Sequence, residues 1–253
     1  KITPEIFHAL SRGKTHPVVI RGLFTDTTAC KVWTPEYFTE SPYGDTTLRV
    51  LQGENVVYGD FTQKIDYKDM ELRDAINDML GGDTSIYINN ITKLFSQHED
   101  LVADLQLDDI DKQVGVGVNS QNWLKLNAFI GQEGTRSSLH CAAGGNLFAL
   151  VYGGEKEWTF ISPEYIPYFK TTPADGFTFV VSGVNINELP PGLKKVPRLK
   201  TTLRAGDALY NPPWWLHDVK NSGGMTIGVA IRDHNTYSQC FSGCSTFMWM
   251  SSY

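Results

Sequence analysis

Over roughly the first 120 residues the apolar positions alternate between helical and strand spacing. From Trp123 onward they gather into short runs cut by Gly, Pro and Asp. The first stretch predicts a short helix from Pro4 to Leu10 and a strand from His16 to Phe24. A second short helix is expected from Thr34 to Phe38, where Thr34 can cap the free amides and Pro35 suits the first helical position. Thr47 to Leu51 reads as a strand. Tyr67 to Leu80 carries Met70, Leu72, Ile76, Met79 and Leu80 at helical spacing and stops at Gly81-Gly82. Thr84 to Asn89 is again strand-like.

The second stretch offers many short strands: Leu124 to Ile130, Leu147 to Tyr152, Glu157 to Ile161, Gly176 to Val181, Thr201 to Leu203, Ala208 to Tyr210, His217 to Lys220 and Met225 to Ile231. Near-regular spacing of this kind predicts a closed or sandwich-like β architecture. The proline-rich stretch from Pro163 to Lys200 is long enough to shape a substrate entrance. Together these patterns predict one domain over 1–253, with a helix-rich part at 1–120, a β core at 121–233 and a tail at 234–253.

Composition narrows the class. With 41% hydrophobic and 20% charged residues in 253, the chain is of ordinary globular type and large enough for a substantial core. A net charge of −6 weighs against a nucleic-acid partner, which calls for clustered Lys and Arg. No apolar run is long enough to span a membrane. The chain opens at Lys1 with neither Met nor a signal-like segment, as a trimmed piece would. Four cysteines are too few for a disulfide framework, so a reduced, soluble, intracellular protein is expected. Cys240, Cys244 and His234 match no common zinc spacing. The apolar tail Phe247-Met248-Trp249-Met250 could pack on the barrel or in a homodimer.

Two segments carry candidate chemistry, Gly131 to Pro163 around His140 and Lys156, and Gly206 to Val219 around His217. Two imidazoles meeting in a barrel mouth can hold a divalent transition metal, although either alone is more often a core histidine. A lysine after a Gly-Gly turn is ordinarily solvated; inside a pocket it becomes a carboxylate-binding cation. The order of these pieces resembles the JmjC/cupin-type oxygenases, closest to their asparaginyl-hydroxylase-like branch. An Ile-Gly strand end is followed by a His ten residues on and an Asn six later. A Gly-(Glu)-Lys strand ending in Pro comes next, then Gly-Asp-x-Leu-Tyr-x-Pro and a Trp-rich run ending in His. One extra glycine near Gly153-Gly154 departs from that spacing, and Pro17 to Leu23 resembles the family's opening strand.

The resemblance implies a double-stranded β-helix holding iron(II) and 2-oxoglutarate, with O₂ and an organic or peptide substrate as the other reactants. His140 and His217 would be the metal ligands. Lys156 would pair with the distal carboxylate of 2-oxoglutarate, joined by Ser137 and Tyr87, with Asn146 beside the cofactor. Gly228 and Ala230 fall where relatives carry larger residues and would open the pocket.

The family motif is His-x-Asp/Glu, and here the third position is Ala142. Asp207 in its turn and Asp218 on the far face of an alternating strand offer no replacement, and Glu133 is misplaced in sequence. Three readings follow. A chloride or bromide could restore the lost negative charge, as in the iron/2-oxoglutarate halogenases, and this reading leads. Two histidines and water could suffice for a hydroxylase. Or the barrel could be an inactive binding module or an engineered trap. Retention of the cofactor pocket argues against simple decay.

Overall fold

The computed structural model describes residues 1–53, 57–58, 66–118, 126–174 and 179–232. The strands are β1 (Val18–Ile20), β2 (Thr47–Gln52), β3 (Val57–Tyr58), β4 (Asp66–Glu71), β5 (Ile86–Ile91), β6 (Leu126–Gly131), β7 (Arg136–Ala142) and β8 (Asn146–Ile161). They continue with β9 (Thr171–Ala174), β10 (Phe179–Ser182), β11 (Leu199–Leu203), β12 (Ala208–Asn211) and β13 (Leu216–Arg232). Helices α1 (Pro4–Leu10), α2 (Thr28–Val32), α3 (Pro35–Thr39), α4 (Leu72–Leu80), α5 (Lys93–Gln97), α6 (Glu99–Asp104) and α7 (Leu107–Val114) all fall in the N-terminal part.

The larger sheet has the order β1-β12-β8-β13-β6-β5-β2-β4. A smaller one is formed by β11, the second half of β8, the first half of β13, β7, β10 and β9, with β3 joining β7 in parallel. Other pairings are antiparallel, and the two sheets make the expected double-stranded β-helix. β8 and β13 belong to both. The predicted pairs 147–152/157–161 and 217–220/225–231 are therefore two long strands rather than four short ones.

The corner where both strands change sheets explains the extra glycine. Register jumps from Ser222↔Glu155 to Thr226↔Gly153. Gly153, Gly223 and Gly224 hold φ of 91°, 68° and 106°, a region that side chains disfavour. A Cβ on Gly153 would also collide with the Met225 carbonyl.

β8 shows why its first half reads as an unbroken apolar run. Leu147, Ala149 and Val151 face the main core, while Phe148 and Leu150 face the barrel interior. The main core runs from Phe7 to Ile231 and lies between the larger sheet and the helical layer. α7, for instance, contributes Leu107, Ile110 and Val114 at helical spacing. Another cluster, with Leu139, Cys141, Phe169, Val180 and Trp214, packs the 163–200 segment against the outside of the smaller sheet.

Caps follow the sequence signals. Thr3 accepts from the Ile6 amide and Thr34 from the Tyr37 amide, each ahead of a proline. One expected element is different. Tyr67 to Glu71 is strand β4, paired residue for residue with β2, and the helix starts only at Leu72. The ladder to β2 satisfies this backbone, and the strand is exposed at every residue except Met70. The opening strand is also shorter than expected, Val18–Ile20. Parts of the strands expected at 124–130 and 176–181, the zinc candidates and the apolar tail lie outside the described residues.

Candidate active site

The open end of the barrel encloses a cavity of about 270 Å³. Its walls bring together His140, Ala142, His217, Tyr87, Ser137, Asn146 and Lys156, drawn from β5, β7, β8 and β13. His140 and His217 sit opposite each other in the β7–β13 ladder, with ring centroids 4.1 Å apart. Two backbone devices aim them. Ser137 and His140 are three apart and would face opposite ways on a regular strand; a register shift in the β7–β13 ladder brings both to the cavity. The Trp214 amide, in a residue at φ 64°, donates to the Ala142 carbonyl at 2.8 Å, clipping the loop before His217 onto the end of β7.

Each imidazole donates its Nδ1–H to a carbonyl two residues back, His140 to Ser138 at 2.7 Å and His217 to Trp215 at 2.9 Å. A carbonyl only accepts, so these bonds select the tautomer with its lone pair on Nε2. Burial holds His140 down to about 4 and His217 well below its usual value. The neighbouring His140 lowers His217 further, and Arg232 lowers both. Both rings are therefore neutral at pH 7, as metal ligation requires. Trp158 stacks on His217, centroids 5.5 Å apart.

Lys156 is 1% exposed, and burial pulls it down to about 7. Its ammonium donates to Asn221 Oδ1 at 2.6 Å and lies 5.5 Å and 6.0 Å from the Phe148 and Tyr87 ring centroids. Among the described residues no carboxylate pairs with it. The buried Tyr87 hydroxyl is pushed up by burial and bonds with Ser137 and Asn89, whose Nδ2 donates to Ser137 Oγ at 3.0 Å. An unpaired buried ammonium ringed by hydroxyl and amide groups fits a carboxylate ligand, and two neutral imidazoles fit a divalent metal.

Among the described residues no group of three His, Cys, Asp or Glu is placed to hold a metal. Asp218 faces away and is held by Arg136 through both carboxylate oxygens at 2.7–3.0 Å. Asp207 does more than shape a turn: it accepts from the Gly22 and Arg204 amides and from Arg21, tying β1 to the loop before β12.

Other expectations are corrected. Gly228 does not open the pocket, because the Phe148 ring fills the space above it; Ala230 does line the cavity. Residues missed from sequence include Asn89, Trp158, Val219 and Arg232. Each lies two positions from an expected site residue on the same strand, so the period of two could have found them. Phe179, opposite Ala142 on β10, comes from the proline-rich insertion.

Comparison with known proteins agrees with this architecture. The chain is 25% identical to Arabidopsis thaliana lysine-specific demethylase JMJ30 over 85% of its own length and 48% of that protein's. It is 32% identical to the human bifunctional peptidase and (3S)-lysyl hydroxylase JMJD7 over 39% of the chain and 38% of that protein. It is 24% identical to tRNA wybutosine-synthesizing protein 4 of Aspergillus oryzae over 87% of the chain and 21% of that protein. The chain thus spans less than half the length of each of these relatives. The cupin-like domain model matches residues 4–231, nearly the whole chain, and the protein belongs to the cupin-like domain family.

Proposed function

We propose that this protein is an iron(II)- and 2-oxoglutarate-dependent oxygenase-family enzyme acting on an aliphatic C–H bond, and that a halide takes the place of the missing carboxylate. The carrying observation is the buried, carboxylate-free ammonium of Lys156 in the same cavity as two neutral, tautomer-fixed imidazoles. When bound, iron with 2-oxoglutarate and O₂ supplies the oxidising power, releasing succinate and CO₂. The chain's own residues do the rest. His140 and His217 would hold the metal. Lys156, with Ser137 and Tyr87, would fix the far carboxylate and so orient the keto acid, while Asn146 lies alongside. Trp158 and Phe179 restrict water around the imidazoles.

Halide transfer draws support from charge. The cavity is lined by two cations, Lys156 and Arg232, and by no acidic side chain among the described residues. The wall at 142 is a methyl group. A monatomic anion adds the negative charge that an Asp or Glu would have carried. Hydroxylation is the second reading, favoured by relatives whose names include a lysyl hydroxylase and a demethylase. Those names also make a lysine-bearing protein or peptide the first substrate class to test, and an acidic chain suits a basic partner.

The test reconstitutes protein anaerobically with iron(II) and 2-oxoglutarate, then admits oxygen with and without chloride or bromide. Halide-dependent succinate formation is expected. Equal succinate without halide sinks the halogenase and leaves the hydroxylase. No succinate and no iron uptake leaves only a binding module.

A further inference from the structure

We infer that Asn211, on the inner face of β12, gives the metal a third protein donor through its side-chain carbonyl oxygen. The inference rests on the metal reading of the cavity. Asn211 stands opposite Asn146 in the β12–β8 ladder, so the two side chains enter the same side of the sheet, and Asn146 lines the cavity. Its amide nitrogen approaches His217 Nε2 at 3.5 Å, the nitrogen whose lone pair the Trp215 bond reserves for a metal. Its carbonyl oxygen is buried without a hydrogen-bond partner among the described residues.

Two positions earlier on the same face, Leu209 packs in the apolar barrel cluster, so the strand itself has no need of an amide here. Burying an unpaired acceptor is unfavourable, and where a native structure keeps one, a water or ion commonly satisfies it. Among the described residues, only the long 3.5 Å approach holds the side-chain amide as it stands. Half a turn about χ2 exchanges nitrogen and oxygen and sets the carbonyl beside His217 Nε2. In that orientation the carbonyl oxygen and His217 Nε2 would be near enough to hold one ion together. A cation at Nε2 favours that orientation, since it repels the NH₂ and attracts the oxygen. The amide is neutral. It adds a donor to the resting site without replacing the charge lost at Ala142, so the requirement for an external anion stands.

Equilibrium dialysis with Mn(II) and with Co(II), in the absence of 2-oxoglutarate, tests this on the full chain. Asn211→Leu should bind either ion at least about tenfold more weakly than wild type. Without metal it should melt no lower, because the orphaned oxygen is gone. Asn211→Asp should bind more tightly than wild type and shift the visible Co(II) bands. A folded Asn211→Leu that binds within twofold of wild type overturns the inference. So does a lower metal-free melting temperature with unchanged affinity, which marks a purely structural amide. If Asn211→Leu does not fold, Asn211→Asp decides, and no gain in affinity counts against the ligand. Failure of the wild type to bind either ion removes the metal reading itself, a different outcome from failure at Asn211 alone.

Discussion

Lys156 is an amine whose burial disfavours the charged form, and the sign of its effect on stability follows. Its value falls to about 7 in the fold, against about 10.4 for an unfolded lysine. Between those values the unfolded chain holds more protons, so this group adds stability as pH rises from about 7 toward 10. Urea melts of the ligand-free protein at pH 7 and pH 9 should show that gain, and Lys156→Met should abolish it. The same substitution should weaken 2-oxoglutarate binding by about 30-fold or more, equivalent to at least ~2 kcal/mol for a truncated buried charge pair. Unchanged affinity in Lys156→Met would remove the carboxylate role. At Ala142 the expectation runs the other way: Ala142→Asp should bind iron at least about tenfold more tightly and lose any halide dependence of succinate formation. That these positions share one cavity was legible from sequence through the family resemblance, which ties residue types to set spacings. Asn211 was not singled out, because a search for a replacement among carboxylates passes over amides.

Secondary-structure elements were legible where the pattern matched the burial and hidden where tertiary contacts overrode it. The capped helices at Pro4 and Pro35 carry their signals locally. The strand at 66–71 does not, since Met70 and Leu72 fit either period and only the β2 ladder decides between them. β7 escaped the strand pattern because three polar residues, Arg136 to Ser138, open it and leave only Leu139 and Cys141 to mark an apolar face. On its outer side Arg136 and Asp218 hold β7 to β13, with side chains 14% and 7% exposed. Burial raises Asp218 more than the guanidinium lowers it, so this carboxylate depends on its partner. Arg136→Met should cost about 3 kcal/mol or more, the usual penalty for stranding a buried charge, read as a shift in urea midpoint. Double replacement of Arg136 and Asp218 by apolar residues should recover most of that loss. A single-variant cost below about 1 kcal/mol would mean that the pair is solvated.

On the scale of the molecule, the opening strand is pinned to the barrel through Asp207, whose carboxylate collects the Gly22 amide, the Arg204 amide and Arg21. Asp207→Ala should lower the melting temperature and loosen residues 16–24, detected as faster proteolysis there with the cavity's metal affinity little changed. Loss of metal affinity alone would place Asp207 in the site instead. Nothing local in Gly206-Asp207 reveals this span, because Gly22 and Arg21 lie more than 180 residues away. The sharing of β8 and β13, 16 and 17 residues long, has a mechanical corollary. The two sheets cannot part along a seam, because any such parting tears ladders that both sheets own. Amide hydrogen exchange should therefore report one opening free energy for the upper and lower halves of β8. The short β9–β10 pair, whose Phe179 borders the cavity, should exchange well before it. Entry and exit would then be a matter of the rim breathing while the barrel behind it stays shut.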